Sequence, residues 1–263
     1  MLQPLFLEEI DDDGIARITL TRAKVHNAFN DTLIAELTAV LAGFATDPRV
    51  RMVVLGAQGR NFSAGADLNW MQRMAGHSEA ENLKDARALA ALMRTLNTLP
   101  KPTIALVQGA AIGGGVGLVA CCDIAIAAET ANFALSEVKL GLSPAVISPY
   151  VIAAMGARAA RRYFLTAETF TAREAHALGL VQLVVPDEAL EDAGARILRH
   201  LAKGGPMAQA ATKDLIFTVA GRPLDDALVE ETAVRIARLR ASDEGRQGIA
   251  AFLAKRKPSW IKE

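Results

Sequence analysis

Two stretches of small residues could hold a developing negative charge. Phe62-Ser63-Ala64-Gly65-Ala66-Asp67-Leu68 follows one apolar run, and Val107-Gln108-Gly109-Ala110-Ala111-Ile112-Gly113-Gly114-Gly115-Val116-Gly117 follows another. Each reads as a buried strand leading through small residues into a helix start. A helix start presents unpaired backbone N–H groups and the positive end of the helix dipole. Small residues let an oxygen atom approach those groups closely. Two such donors aimed at one point make an oxyanion hole. The same residues also fit two tight turns without chemistry. Mid-helix glycines cost about 1 kcal/mol each against alanine, and close helix–sheet packing would account for them equally.

Glu137 lies in Leu135-Ser136-Glu137-Val138, a lone carboxyl group among largely apolar neighbours. By residue type it fits an exposed position on an alternating strand. It also fits an acid–base group, because a partly desolvated carboxyl has a raised pKa suited to moving protons near neutral pH.

Other chemistries find little support. His26, His77, His176 and His200 have no metal-ligand spacing, so no metal is expected. No Gly-x-Ser-x-Gly elbow and no Walker-type phosphate loop occurs. Gly113-Gly114-Gly115-Val116-Gly117-Leu118 approaches a dinucleotide fingerprint. Leu118 stands where a glycine or alanine is required, and the segment lies far from the first strand. No tightly bound flavin or nicotinamide is expected.

The chain has 263 residues, 51% hydrophobic but only 5% aromatic. Its core must be built from Ala, Leu, Val and Ile, which suits helices packed closely on a sheet. Basic and acidic residues balance at 29 each, so no global field favours nucleic acid. Local clusters at Arg158-Arg161-Arg162 and Lys255-Arg256-Lys257 read as solvated faces; the second also suits a ligand phosphate or a subunit contact. Cys121 and Cys122 are adjacent and read as small buried hydrophobes rather than a disulfide. No basic, apolar and small-residue leader pattern opens the chain, and no apolar run reaches membrane length. The expectation is a cytoplasmic protein without a membrane partner.

The elements that must position these residues alternate. Leu5–Glu9 and Ile15–Leu20 flank Asp11-Asp12-Asp13-Gly14 as a hairpin. Asn30 or Asp31 caps a helix carrying Leu33, Leu37, Val40, Leu41 and Phe44. Strands are expected at 50–57, 103–108, 123–127 and 181–185, with helices at 68–74, 81–99 and 113–120. Pro149 marks a change of pattern. Helices are then expected at 189–202, 208–219, 224–239 and 243–255, punctuated by Gly204-Gly205-Pro206 and Gly221-Arg222-Pro223. This is an α/β layout with mostly parallel pairing.

Together, the two small-residue stretches and Leu135-Ser136-Glu137-Val138-Lys139-Leu140-Gly141-Leu142 resemble the crotonase family of enoyl-CoA hydratases and isomerases. The resemblance extends from Arg22-Ala23-Lys24-Val25-His26-Asn27-Ala28 to Phe252-Leu253-Ala254-Lys255-Arg256-Lys257-Pro258. It implies a spiral of β-β-α units over residues 1–200 and a helical oligomerisation region over 201–263. It implies that the backbone N–H groups of Ala66 and Gly114 hold a thioester oxygen, and that Glu137 is the acid–base group. Lys24, His26, Ala64, Asp67, Leu68 and Leu142 are implied around the acyl-CoA, with Asp67 chiefly capping the following helix. Phe252 and Lys255 are implied at a neighbour's CoA site in a homotrimer, stacked as a hexamer. CoA would enter with the substrate, with no resident cofactor. An RNA-binding homologue, known in the family, is disfavoured by the charge balance and the lack of an aromatic–basic platform.

The chain departs from the best-known hydratases at Gly117, where those enzymes carry a second glutamate. Glu137 alone, a substrate carboxylate, or isomerisation by one mobile base would each answer the loss. Ser63–Met71, Gly117–Asp123 and Gly141–Tyr150 resemble 3-methylglutaconyl-CoA and γ-carboxygeranoyl-CoA hydratases. That implies a branched enoyl-CoA with a second carboxylate. Asn69, Ser143, Ser148, Tyr150 and Arg73 are candidates to meet that carboxylate, and Trp70 and Met71 to border the acyl pocket. The space beside Gly117 is expected to be open.

Overall fold

The computed structural model describes residues 4–261. A six-stranded sheet forms its centre, in the order β1 (Phe6–Ile10), β2 (Ile15–Leu20), β3 (Met52–Ala57), β4 (Thr103–Val107), β6 (Ile124–Ala128) and β9 (Leu183–Val185). Only the β1–β2 hairpin is antiparallel; the other pairs run parallel. A small second sheet holds β5 (Ala110–Ile112), β7 (Asn132–Ala134) and β8 (Phe170–Thr171).

The central strands are apolar on both faces because both faces are covered. Val53, Leu55, Ala105, Val107, Ala125 and Ala127 point into the main core, which includes side chains from α1 (Asp31–Thr46) and α3 (Glu79–Asn97). Met52, Val54, Ile104, Leu106, Ile126 and Ala128 alternate with them. They face a second core closed by Leu190, Ala193 and Leu198 of α7 (Leu190–Leu201).

Each turn of the chain runs from the large sheet into the small one and then into a helix. After β3, Ser63 bridges Ala111 of β5, and α2 (Leu68–Met74) and α3 follow. β4 leads through β5 into α4 (Gly114–Cys121). β6 leads through β7 into α5 (Ser148–Thr166). This is the spiral of β-β-α units that the resemblance implied.

Caps fix where the helices begin. The Asn30 side chain accepts from the Leu33 N–H at 2.8 Å. Ser78 and Glu81 form a capping box, so α3 starts one residue after Ser78 rather than at Glu81. Pro149 sits in the first turn of α5, where its missing N–H has no intrahelical partner to lose. The change of pattern there is a helix entry, and α5 and the short α6 (Ala172–Ala177) fill the stretch between Pro149 and the strand expected at 181–185.

Three more helices end the described chain: α8 (Pro206–Val219), α9 (Asp226–Ala241) and α10 (Asp243–Leu253). Glu244 accepts from the Met207 and Ala208 N–H groups at 3.0 and 2.8 Å, joining α10 to the start of α8. Lys213 pairs with Asp123 at 2.9 Å and ties α8 to the core. Ile216, Val229, Ile236, Ile249, Phe252 and Leu253 remain exposed. No helix among the described residues is long and apolar enough to cross a membrane.

Candidate active site

The spiral brings successive strand ends side by side. Ser63 is bridged to Ala111, and Ala111 pairs with Phe133. Ala66 and Gly114 each lie three residues beyond the Ser63–Ala111 pair. Adjacent strands lie about 4.8 Å apart, so groups leaving equivalent positions can share one oxygen. At the first position the Phe29 N–H donates to Gly65 O at 2.6 Å, and the Asp67 N–H donates to Phe29 O at 2.7 Å. N–H groups alternate in direction along an extended chain. The Ala66 N–H therefore points away from Phe29, to the side where Gly114 lies. Gly114 opens α4, and its N–H has no intrahelical acceptor. Among the described residues, no hydrogen-bond acceptor meets either N–H.

Gly113 shapes this turn. Its backbone (φ 51°, ψ −116°) is one that glycine tolerates and other residues rarely adopt. Its N–H donates to Ala134 O at 2.9 Å. A Cβ there would lie 2.9 Å from Glu137 Oε1, so the glycine also makes room for that carboxyl. Under the turn, the buried Phe29 ring would meet a Cβ on Gly114 at 2.5 Å.

Glu137 opens a 3-10 turn, Glu137–Leu140, rather than sitting on an alternating strand. Gly141 closes the turn, and the Leu142 N–H returns to Glu137 O at 3.0 Å. The side chain is half-buried. Its Oε2 is buried with no hydrogen-bond partner among the described residues. Burial pushes the carboxyl above the ordinary glutamate range. Two free donors beside one desolvated carboxyl can hold an oxyanion and move a proton.

Asp67 is occupied otherwise. Its carboxylate caps α2 through the Asn69 and Trp70 N–H groups and pairs with Arg22 at 2.8 Å. Burial would raise its pKa, but the hydrogen bonds from Arg22, Asn69 and Trp70 outweigh that and hold it below the usual range. Ala64 donates its N–H to His26 O at 2.9 Å, which sets the segment holding Lys24 and His26 against the Ala64–Ala66 turn. Lys24 and His26 are exposed. Leu68 and Leu142 are 77% and 60% exposed. Phe252 and Lys255 stand exposed at the end of α10, which packs on α8 and α9.

The candidates for a second carboxylate scatter. Asn69 and Ser143 are exposed. The Ser148 hydroxyl donates to Ala145 O at 2.8 Å. Arg73 is engaged by Asp31 at 3.2 Å. Tyr150 lines a cleft of about 540 Å³ with Val119, Ala120, Lys213 and Phe217. That cleft adjoins the C-terminal half of α4, the end opposite Gly114, so Tyr150 is removed from the candidates. Trp70 is buried, and Met71 half-buried.

Gly117 also differs from expectation. A Cβ there would overlap Ile147 Cγ2 and lie 3.2 Å from Met93 Cε. Both side chains are buried. The space is filled with hydrocarbon, not open. Phe29, Met93 and Ile147 carry no motif, and only the folded arrangement brings them here.

The enoyl-CoA hydratase/isomerase family profile matches residues 11–263. The crystal structure of an enoyl-CoA hydratase from Shewanella pealeana is 46% identical, covering 98% of this chain and 96% of that one, with a TM-score of 0.95. The 2,3-dehydroadipyl-CoA hydratase of Escherichia coli strain K12 is 34% identical over 92% of this chain and 93% of its own length. The 1,2-epoxyphenylacetyl-CoA isomerase of the same strain is also 34% identical, over 95% of each. A hydratase and an isomerase thus stand at equal identity to this chain.

Proposed function

This chain belongs to the enoyl-CoA hydratase/isomerase family, and from that premise we propose that it adds water to a branched enoyl-CoA carrying a second carboxylate. The observation supporting the chemistry is the meeting of the free Ala66 and Gly114 N–H groups with Glu137 across the Gly113 turn. The thioester oxygen accepts from both N–H groups. Glu137 takes a proton from water as the water oxygen bonds to the β-carbon. The electron pair of the double bond shifts toward the carbonyl, giving an enolate. Glu137 then returns the proton to the α-carbon. Each fixed donor contributes about 2.7–4 kcal/mol to stabilising such an oxyanion.

Lys24, His26, Ala64, Leu68 and Leu142 lie along the CoA and acyl path in this reading. Asp67 contributes by fixing the start of α2. CoA arrives with the substrate, and no resident cofactor, metal or nucleic acid takes part. Support for a branched, carboxylated acyl group comes from the resemblance of Ser63–Met71, Gly117–Asp123 and Gly141–Tyr150 to 3-methylglutaconyl-CoA and γ-carboxygeranoyl-CoA hydratases. Asn69 and Ser143 remain the donors proposed for its second carboxylate. A reducing cytoplasm suits the two free thiols.

The lone carboxyl favours isomerisation as a second reading, since one mobile base can carry a proton between two carbons. A panel of enoyl-CoA thioesters separates the readings. Loss of enoyl absorbance with a hydroxyacyl product, fastest on 3-methylglutaconyl-CoA or γ-carboxygeranoyl-CoA, is the expected result. Far faster turnover of crotonyl-CoA would refute the substrate class. A moved double bond without added water would assign isomerisation.

Residues 201–263 are proposed as an oligomerisation region, in a homotrimer stacked as a hexamer. The exposed apolar side chains of α8, α9 and α10 support this, because such surfaces favour burial against a partner. Phe252, 82% exposed, and Lys255 would then reach a neighbour's CoA site. Light scattering at micromolar concentration should give a trimer or hexamer. A fully active monomer would rule this out.

A further inference from the structure

Gly113 caps α4 and Gly117 lies one turn into it, joined by the Gly117 N–H donating to Gly113 O at 3.2 Å. Glu137 Oε1 stands over the first, 2.9 Å from where its Cβ would be. Ile147 covers the second, with its Cβ 3.0 Å from that site and its Cγ2 nearer still. One helical turn is about 5.4 Å, and the 3-10 turn that Glu137 opens packs against α5, whose N-cap is Ile147, so the carboxyl and the isoleucine lie at the same end of α4. Met93, from α3, also meets the Gly117 position, its Cε 3.2 Å from where that Cβ would be. Glu137 Oε2 is buried and has no partner among the described residues, and the atoms nearest the Gly117 position are carbons of Ile147 and Met93.

The geometry points to Ile147 as a positioning residue: its side chain, seated on Gly117, seals the α4 face beside Glu137 so that the carboxyl exchanges its proton with the substrate rather than with solvent. This rests on the enolate chemistry proposed above. When Glu137 takes an α-proton, the C–H electron pair forms the enolate, with charge on the oxygen facing Ala66 and Gly114. The proton stays on Glu137. With the wall intact it returns to the same carbon. Opening the wall lets solvent replace it before return.

The readout is α-hydrogen exchange of butyryl-CoA in D2O, followed by NMR and divided by kcat for the best enoyl-CoA. A saturated thioester can lose and regain its α-proton but cannot be hydrated. Ile147→Ala should raise that ratio about tenfold, equivalent to about 1.4 kcal/mol in relative barriers. Ile147→Val keeps both γ-carbons, including the methyl seated on Gly117, and should hold the wild-type ratio, as a merely destabilising change would not predict. If Ile147→Ala does not fold, Ile147→Thr replaces the two-carbon arm by a hydroxyl and should raise the ratio too. An unchanged ratio in whichever of these two folds overturns the proposal, as does a fall in exchange parallel to turnover. A wild-type protein that turns over enoyl-CoA while the ratio ignores Ile147 defeats only the positioning role. A wild-type protein inactive in both assays defeats the proposed function as well.

Discussion

In Glu137→Gln, kcat is expected to fall at least about 10²-fold while CoA-ester binding survives, because general acid–base catalysis is worth about 10²–10⁴-fold. Gln keeps the size and much of the hydrogen bonding but cannot take up a proton at neutral pH. The Ala66 and Gly114 donors are backbone groups and remain. KM should therefore change little, the pattern of an interaction needed only in the transition state. Steady-state kinetics and competition with a saturated acyl-CoA check both halves. A variant keeping more than about a tenth of wild-type kcat would assign proton transfer to another group. The pH profile carries the same signature. Burial raises the Glu137 pKa, so for hydration, where Glu137 begins as the base, kcat/KM should climb with pH through a limb above the ordinary glutamate value of about 4.3. That limb should vanish in the variant.

The same substitution has an opposite effect on stability. With its folded pKa above the unfolded value, Glu137 binds its proton more readily in the folded state. Between the two pKa values the unfolded chain holds fewer protons, so stability falls as pH rises. The penalty is absent below the unfolded pKa and complete above the folded one. Gln carries no charge and escapes it. Thermal unfolding should find the variant more stable than wild type at neutral pH, with that pH-dependent margin gone once the pH is below the ordinary glutamate range.

What could be read from the sequence was what neighbouring residues decide together. The Asp11–Gly14 turn, the Asn30 cap, the apolar run of β3 and the start of α2 at Leu68 each depend on a few adjacent side chains. The small-residue turns and the lone carboxyl of Glu137 were visible for the same reason. β5 and β7 have three residues each and β8 has two, too few for alternation to register. Yet these strands set Ala66, Gly114 and Glu137 beside one another. Tyr150 and Ser148 share a segment with Ile147, but α5 turns them in different directions. A residue's place along the chain does not show which way a helix will aim it. Gly117 was open to misreading because a glycine records only that no side chain fits or is needed. What lies against it is the side chain of Ile147, thirty residues later, and that of Met93 from another helix.

Gly117→Glu should therefore destabilise the protein instead of furnishing a second catalytic carboxylate. Its Cβ would overlap Ile147 Cγ2 and lie 3.2 Å from Met93 Cε. Overpacking a filled core typically costs about 1–3 kcal/mol. A carboxylate without a partner in that hydrocarbon adds a desolvation penalty of several kcal/mol, or else stays protonated. Together these reach the scale of a domain's whole stability, about 5–15 kcal/mol. The expected outcome is little soluble protein, or a melting temperature many degrees lower. Adding Ile147→Ala removes the overlapping methyl and should recover part of the loss. The pair should then show a coupling of about 0.5–3 kcal/mol, as contacting residues do. A Gly117→Glu protein melting within about 2 °C of wild type, under about 1 kcal/mol for a chain of this size, would show that Ile147 moves aside freely. The wall beside Glu137 would then be soft, and its sealing role would fail with it. Strong destabilisation relieved by the second substitution would instead mark Gly117 and Ile147 as one packed unit, in which the missing carboxylate cannot be restored by a single replacement.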